Sequence, residues 1–243
     1  MPKMSERRTS RRRRVISGVR VVGAVLLLLG GAETASTGGE VEPPPGCAEE
    51  VALRIQGYYE GVRDLRADFS QSSRSVALGS VPGEETPNRG HVVFAKPGRM
   101  RWVYENPEPS LVVSDGETLW IYDPVLKEVQ VFSVDAGFLS GTAIQFLLGE
   151  GRILESFSVG AKSCEGDEVS LDLQPKKSAS YERLELRVDR ASGAILATAV
   201  VDLFGNRTDV AFENVQRNLA PDDSLFRFEP SEDDRVLTLP DAP

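Results

Sequence analysis

Residues 95–123 read AKPGRMRWVYENPEPSLVVSDGETLWIYD and contain three short extended segments that are joined by turn signals. Large side chains (Met, Trp, Tyr) occupy every second position from 100 to 104, which is the period of a half-buried strand. The sequence NPEP at 106–109 breaks this strand, and Asp115-Gly116 is a hairpin signal between the next two segments. The stretch therefore predicts a meander of consecutive antiparallel strands.

The same pattern continues over most of the chain, with Gly, Pro and Asn residues as punctuation. A sheet of this size is expected to curl around its apolar face or to split into a sandwich. Extended segments are predicted to begin at Phe69 and to occupy residues 91–95, 100–104, 111–113, 118–122, 128–132, 153–159, 168–173, 183–188, 195–202, 208–214 and 226–228.

Two segments have helical rather than alternating patterns. From Ala48 to Leu65, apolar residues recur in steps of three and four, which predicts an amphipathic helix. Residues 135–149 crowd Phe, Leu and Ile around three glycines, which favours short helices. The residues therefore predict a mainly β protein with α cover, in which helices lie over the apolar face of a curved antiparallel sheet.

Residues 1–32 show the order of regions found in a secretory signal peptide. An Arg-rich head precedes an apolar stretch that is densest at 21–29, and small residues follow it. We expect cleavage near Ala32, a flexible Pro-rich spacer over residues 33–46 and a folded domain over residues 47–243. A retained membrane anchor is the alternative, because the apolar stretch is nearly long enough to span a bilayer.

The charges argue against several classes of function. The chain has 28 Lys and Arg residues against 37 Asp and Glu residues. Residues 1–32 contain eight of the basic residues and one of the acidic ones, so the remainder carries 20 against 36, a net charge of −16. Because such an acidic body repels phosphate backbones, no nucleic-acid partner is expected. One His and two Cys are too few for most zinc sites, and we predict no metal and no cofactor.

Catalytic motifs are missing from the sequence. It has no G-x-S-x-G, no Gly-rich phosphate loop and no H-E-x-x-H. The single imidazole, His91, stands at the start of a predicted strand, where a structural role is expected because a general base needs an orienting partner and a nucleophile. We therefore predict that the protein is not an enzyme.

The two cysteines allow a single pairing. Cys47 directly precedes the first predicted helix, and Cys164 stands in a turn between two strands of the second half. Because an exported chain meets an oxidising compartment, we predict a structural disulfide between them. Two unpaired thiols are the alternative.

Residues 95–123 resemble the outer-membrane lipoprotein carrier family (LolA) in two motifs, KPGRxRWxY and SDGxTLWxYD. They follow an amphipathic helix that ends in ADFSQ (67–71), at the distance typical of that family. The segments NRTDVAFENVQRN (206–218) and SLFRFEP (224–230) stand where the closing strands of the family belong. The resemblance covers most of residues 48–237.

The resemblance implies an incomplete antiparallel β-barrel whose open side is closed by helices that act as a lid. It also implies a dry cavity for the acyl chains of lipoproteins. Such carriers accept acylated lipoproteins from an inner-membrane lipoprotein-releasing ABC transporter and pass them, across the periplasm, to an outer-membrane acceptor. A monomer is expected.

The resemblance also implies which side chains line the cavity. Because the sheet is twisted, one of the two Trp-bearing strands could present its Trp to the outside, and each of these side chains could equally fill a core. The predicted lipid-binding residues are Phe69, Phe94, Met100, Trp102, Tyr104, Leu111, Val113, Trp120 and Tyr122 in the sheet, and Ile144, Phe146 and Leu147 in the lid.

One position departs from the family pattern. Members often have Arg directly before the Pro that here is Pro97, and this Arg ties the barrel to the lid, whereas the present chain has Lys96. Lys lacks the bidentate fork of Arg. Either Lys96 forms a weaker lid latch, or Arg99 or Arg101 takes its place.

Three functions are open at this point: a lipoprotein carrier, a related envelope protein that binds or senses another lipid or serves a dedicated export system, and a structural envelope protein with a filled core. An acyl cavity recognises its ligand by volume and apolarity rather than by a pattern of donors. The sequence therefore does not distinguish one lipid cargo from another.

Overall fold

The computed structural model describes residues 46–76, 86–134 and 152–238. Within these ranges, a helix of 14 residues, α1 (Cys47–Glu60), comes before the strands. A single helical turn, α2 (Ile153–Ser156), and a 3-10 helix (Asp223–Phe226) come later. The predicted signal peptide, the spacer up to residue 45 and the predicted lid segment at 135–149 lie outside the described residues.

The described strands form one sheet, and its order is β12-β6-β5-β4-β3-β2-β1-β11-β10-β9-β8-β7. All neighbours are antiparallel except β12 and β6. This curved open sheet with few helices confirms the predicted fold class. The strands are β1 (Asp64–Arg74), β2 (Asn88–Ala95), β3 (Arg99–Asn106), β4 (Ser110–Asp115), β5 (Thr118–Asp123), β6 (Glu128–Ser133), β7 (Phe157–Ser163), β8 (Glu168–Pro175), β9 (Tyr181–Asp189), β10 (Ile195–Asp202), β11 (Arg207–Arg217) and β12 (Arg235–Thr238).

The strand register assigns each side chain to one of two faces, because directly opposed residues of an antiparallel pair lie on the same face. Trp102 is opposite Val92 on β2 and opposite Val112 on β4. All three belong to, or pack against, the core cluster that includes Val51 and Ile55 of α1. We call the face that α1 covers the inner face and the opposite one the outer face.

Helix α1 buries one side against the inner face and ends earlier than predicted. Leu65, predicted as the last apolar residue of the helix, lies in β1 opposite Phe94 and is buried there. Both the helical and the alternating pattern bury Leu65, so periodicity alone does not locate the boundary. The buried residues of the helix are Val51, Ala52, Ile55 and Tyr59.

Helix α1 is tied to the sheet at both ends. At its start, Cys47 forms a disulfide with Cys164 in the β7–β8 turn, with the two Cα atoms 6.3 Å apart. Near its end, the Lys96 ammonium donates a hydrogen bond to the Tyr59 carbonyl at 2.8 Å. The Tyr59 hydroxyl also accepts the backbone N–H of Ile195 at 3.2 Å, and burial raises the pKa of this hydroxyl.

The β9–β10 turn packs directly on the backbone of α1. Gly193 in this turn has a φ of +82°, and a Cβ at that position would lie 2.6 Å from the carbonyl oxygen of Arg54. The Arg54 guanidinium donates to the carbonyl of Arg190 at 2.8 Å. A side chain at Gly193 would therefore push the helix away from the turn.

The C-terminal segment, residues 218–234, runs over the outer face between β11 and β12. Phe226 is 1% exposed and packs there against Val93 and Ala95, which are outward-facing residues of β2. The Asp64 carboxylate, at the start of β1, accepts backbone N–H groups from the beginning of this segment at 2.6 and 3.2 Å. The outer face of the sheet is therefore partly buried as well.

Three predicted or missed elements need correction. The predicted strand at 153–159 is α2 followed by β7, which begins at Phe157. The predicted strand at 226–228 is wrong, because Phe226 ends the 3-10 helix and is buried against side chains instead of pairing with a strand. Strand β12 was not predicted, since its four residues pair in parallel with the distant β6.

Replacing Cys47 and Cys164 together by Ser is expected to lower the free energy of unfolding by about 2–5 kcal/mol. The bridge joins residues 117 positions apart, and opening it restores the loop entropy of the unfolded chain. Urea denaturation followed by circular dichroism measures the loss, with the reduced wild-type protein as the control. A loss smaller than about 0.5 kcal/mol, which is within the range of a neutral surface substitution, would contradict the stabilising role.

Candidate functional site

A cluster of aromatic rings lies on the inner face, in the middle of the sheet. The ring of Trp102 has its centroid 4.8 Å from that of Phe69, 5.7 Å from that of Phe94, and 6.3 Å from those of Tyr104 and Phe212. These residues belong to the neighbouring strands β1, β2, β3 and β11. The structure thus brings together four of the predicted residues and adds Phe212.

A glycine makes room for this cluster. Gly90 is opposite Phe69 across the β1–β2 pair, beside a register shift between Arg89 and Gly90 in the β2–β3 pair. A Cβ at Gly90 would lie 1.8 Å from the carbonyl oxygen of Val103 and 3.2 Å from the ring of Phe69. Glycine at this bulge therefore permits the close approach of two strands next to an aromatic ring.

A neutral polar pair borders the rings. The Tyr104 hydroxyl donates to Oε1 of Gln71 at 3.0 Å. Burial raises the pKa of the Tyr104 hydroxyl, and its hydrogen bond with Gln71 opposes part of this effect. The hydroxyl is therefore protonated at neutral pH. The pair places two polar side chains next to the rings but no charge.

The inner face is not completely buried. Seven of its aliphatic and aromatic residues, on β3–β6, β10 and β11, are only half-buried, in contrast to the fully buried inner residues of β8 and β9. We call these half-buried residues the apolar inner patch. They are Tyr104, Val112, Ile121, Phe132, Val200, Val210 and Phe212. A largely apolar surface of this kind suits contact with hydrocarbon.

Phe94 and Met100 lie on the same face as this patch but are buried. They are opposite each other across the β2–β3 pair, and their exposed fractions are 1% and 6%. Both therefore serve first as core residues. Ile144, Phe146 and Leu147, the predicted lid residues, lie outside the described residues.

Four predicted lipid-binding residues occupy the outer face instead: Leu111, Val113, Trp120 and Tyr122. The register pairs Val113 with Trp120 and Leu111 with Tyr122, while Ile121, between them, points to the inner face. The ring of Tyr122 packs against Phe228 of the C-terminal segment, with centroids 5.2 Å apart. Grouping these four with Trp102 is therefore wrong.

The two basic residues after Pro97 have the same orientation. Arg99 and Arg101 flank Met100 on β3 and so lie on the outer face. Arg99 pairs with Asp223 and stacks over Phe226 at 5.2 Å, and Arg101 donates to the carbonyl of Leu225 at 3.2 Å. Both hold the C-terminal segment on the outer face, and a latch from either residue to the segment at 135–149 remains a prediction.

Lys96 is placed differently. Its ammonium reaches the C-terminal end of α1, where a cation is favourable for the helix dipole. Burial lowers the pKa of this ammonium, and the nearby Glu60 carboxylate opposes the effect. Lys96 therefore ties the β2–β3 turn to a covering helix. A latch to the segment at 135–149 remains a prediction.

The outer face also carries a groove of about 430 Å³ beside β1 and β8–β11. Its lining is polar, and Arg207 in it forms ion pairs with Glu185 at 3.1 Å and Asp209 at 2.8 Å. Because its lining is polar and charged, the groove is poorly suited to bind an apolar ligand.

Other kinds of site receive no support in the described ranges. There, no group of three or more His, Cys, Asp or Glu side chains is arranged to hold a metal ion. No described helix has the length and apolarity needed to cross a membrane. His91, on β2, has Nδ1 3.2 Å from a carboxylate oxygen of the exposed Glu105, which is a surface contact.

The sequence prediction missed several residues of the apolar inner patch, among them Val112, Ile121 and Phe132. In β5 both alternating sets are apolar, Leu119 with Ile121 and Trp120 with Tyr122. Alternation alone therefore could not show which of these two pairs on β5 points to the inner face. Phe212 could have been predicted, because it lies in the segment 206–218 that resembles a closing strand of the family.

Among solved structures, a LolA superfamily protein from Nitrosomonas europaea aligns with the chain. Its TM-score is 0.43 at 11% identity, and the match covers 76% of this chain and 99% of that chain. A conserved protein from Thermus thermophilus has a TM-score of 0.49 at 13% identity, and the match covers 80% of this chain and 100% of that chain.

Sequence similarity to known proteins extends over most of the chain. Residues 60–229 match the family model for the outer membrane lipoprotein carrier protein LolA. The chain is 31% identical over 177 residues to the outer-membrane lipoprotein carrier protein of Nitrosospira multiformis, covering 72% of this chain and 83% of the relative. It is 32% identical over 179 residues to that of Dechloromonas aromatica, covering 73% and 82%. The chain belongs to the outer-membrane lipoprotein carrier family.

Proposed function

We propose that the protein is a non-enzymatic periplasmic carrier that holds the acyl chains of lipoproteins on its inner face. The observation that carries this proposal is the apolar inner patch, which shares Tyr104 and Phe212 with the aromatic cluster around Trp102. Desolvating apolar surface on both ligand and protein favours binding of hydrocarbon there by about 25 cal/mol for each Å² removed from water. Family membership supports acylated lipoproteins as the cargo.

The proposed route begins at an inner-membrane lipoprotein-releasing ABC transporter and ends at an outer-membrane acceptor. The signal-peptide pattern of residues 1–32 and the disulfide between Cys47 and Cys164 support a location in the oxidising periplasm. The acidic body, which carries a net −16 after residue 32, supports free diffusion between two membranes with anionic lipids.

A release assay tests this function. Purified mature protein is added to inner membranes that contain the transporter, ATP and a labelled lipoprotein. We expect a soluble complex of one lipoprotein with one carrier. If the protein instead binds only free lipids from these membranes, as identified by mass spectrometry, it belongs with lipid-sensing or dedicated export relatives. If neither forms, the carrier function is contradicted.

A matched pair of substitutions on β5 tests which face of the sheet binds the cargo. Ile121→Asp places a charge in the apolar inner patch, and Trp120→Asp places one on the outer face. Because burying a charge against acyl chains is costly, we expect Ile121→Asp to reduce cargo binding more than tenfold and Trp120→Asp to leave it near the wild-type value. Circular dichroism verifies the fold of both. Equal binding by the two variants would argue against the inner face as the binding surface.

Lys96→Arg tests the tie between the sheet and α1. A guanidinium offers five directed donors to the carbonyls at the helix end, so the tie is expected to strengthen and cargo release to slow several-fold. The measurement is the half-time of cargo transfer to an acceptor, with Lys177→Arg at an exposed position as the control. An unchanged half-time in Lys96→Arg would remove Lys96 from the release step.

A further inference from the structure

Trp102 carries a buried hydrogen-bond donor without a partner. Its side chain is 8% exposed, and no acceptor in the described parts of the chain bonds to its Nε1. Such groups are rare in native proteins, where almost every buried donor is paired. Two other unpartnered buried atoms in the described ranges, Nε of Arg99 and Oδ1 of Asp172, lie on the outer face. Within the described residues, Trp102 Nε1 is therefore the one unpartnered buried polar atom on the inner face.

The surroundings of the Trp102 indole are apolar. The rings of Phe69 and Phe94 are next to it, and Val92 and Val112 are opposite it on the flanking strands. None of these four side chains has an oxygen or nitrogen atom. The nearest polar pair along the strand, Tyr104 with Gln71, is satisfied internally. Within the described residues nothing pairs the indole N–H, and an acceptor that arrives with a ligand would satisfy it.

We propose that Trp102 Nε1 donates a hydrogen bond to the carbonyl oxygen of an acyl ester in the bound ligand. This inference rests on the proposed function, because it concerns the same inner face. Hydrocarbon chains contain no acceptor, and the ester carbonyl that joins each chain to glycerol is the acceptor closest to them. With this carbonyl at Trp102, the chain beyond it lies on the apolar inner patch. This hydrogen bond would favour a fatty-acyl ester over hydrocarbon that lacks an acceptor.

The test compares two probes that differ only at the linkage, dioctanoylglycerol and its dioctyl ether analogue. The chain has two Trp residues, so the indole N–H region of its NMR spectrum contains two signals, which Trp102→Phe and Trp120→Phe assign. We expect the ester to move the Trp102 signal downfield, as hydrogen bonding does, and to leave the Trp120 signal in place. The ether is expected to bind without this downfield shift.

Affinities provide a second readout with a matched control. In the wild-type protein and in Trp120→Phe, the ester is expected to bind about three- to tenfold more tightly than the ether, which corresponds to one hydrogen bond. Trp102→Phe keeps an aromatic ring but removes the donor, so this preference for the ester is expected to disappear.

Equal affinities of the wild-type protein for ester and ether, or the same Trp102 signal with both probes, would overturn the hydrogen bond while leaving acyl binding intact. Binding of neither probe would overturn the proposed function together with this inference. The spectrum of the wild-type protein decides the question even if Trp102→Phe does not fold.

Discussion

Strict alternation along β3 is the constraint on which the rest of the molecule depends. Met100 and Trp102 point to the inner face, where they join α1 in the main core. Arg99 and Arg101, between and beside them, point to the outer face and hold the C-terminal segment. Because a strand cannot shift by one residue without exchanging these sets, the aromatic cluster and the C-terminal segment fix the same register from opposite sides.

Helix α1 is held by different kinds of interaction along its length. A covalent bridge holds its first residue, Cys47, whereas a single charged hydrogen bond from Lys96 holds its last turn. In the middle, Gly193 lets the helix backbone lie directly on the β9–β10 turn. The covalent end has no low-energy way to open, so any opening of the cover at α1 is expected to begin at the Lys96 end.

The inner face is mainly apolar, with polar side chains such as Gln71, Gln130 and Thr198 between the apolar ones. A face of this kind binds hydrocarbon without selecting its head group, since contact area dominates the free energy. Polar groups within it acquire a disproportionate role, because each one demands a partner in an environment of low dielectric constant. Tyr104 finds this partner in Gln71, and Trp102 finds none in the described chain.

The sequence by itself determined the strands at 100–104, 111–113 and 118–122, because period-two alternation and turn residues are local signals. Tertiary structure decided the remainder. It ended α1 before Leu65, where both periodicities bury the residue, and it turned Ile121 instead of Trp120 inward on a strand that is apolar on both sides. It also paired β12 with β6, a contact between distant segments that no local pattern contains. The choice of face depends on which strand lies opposite, and that information exists only once the sheet has formed.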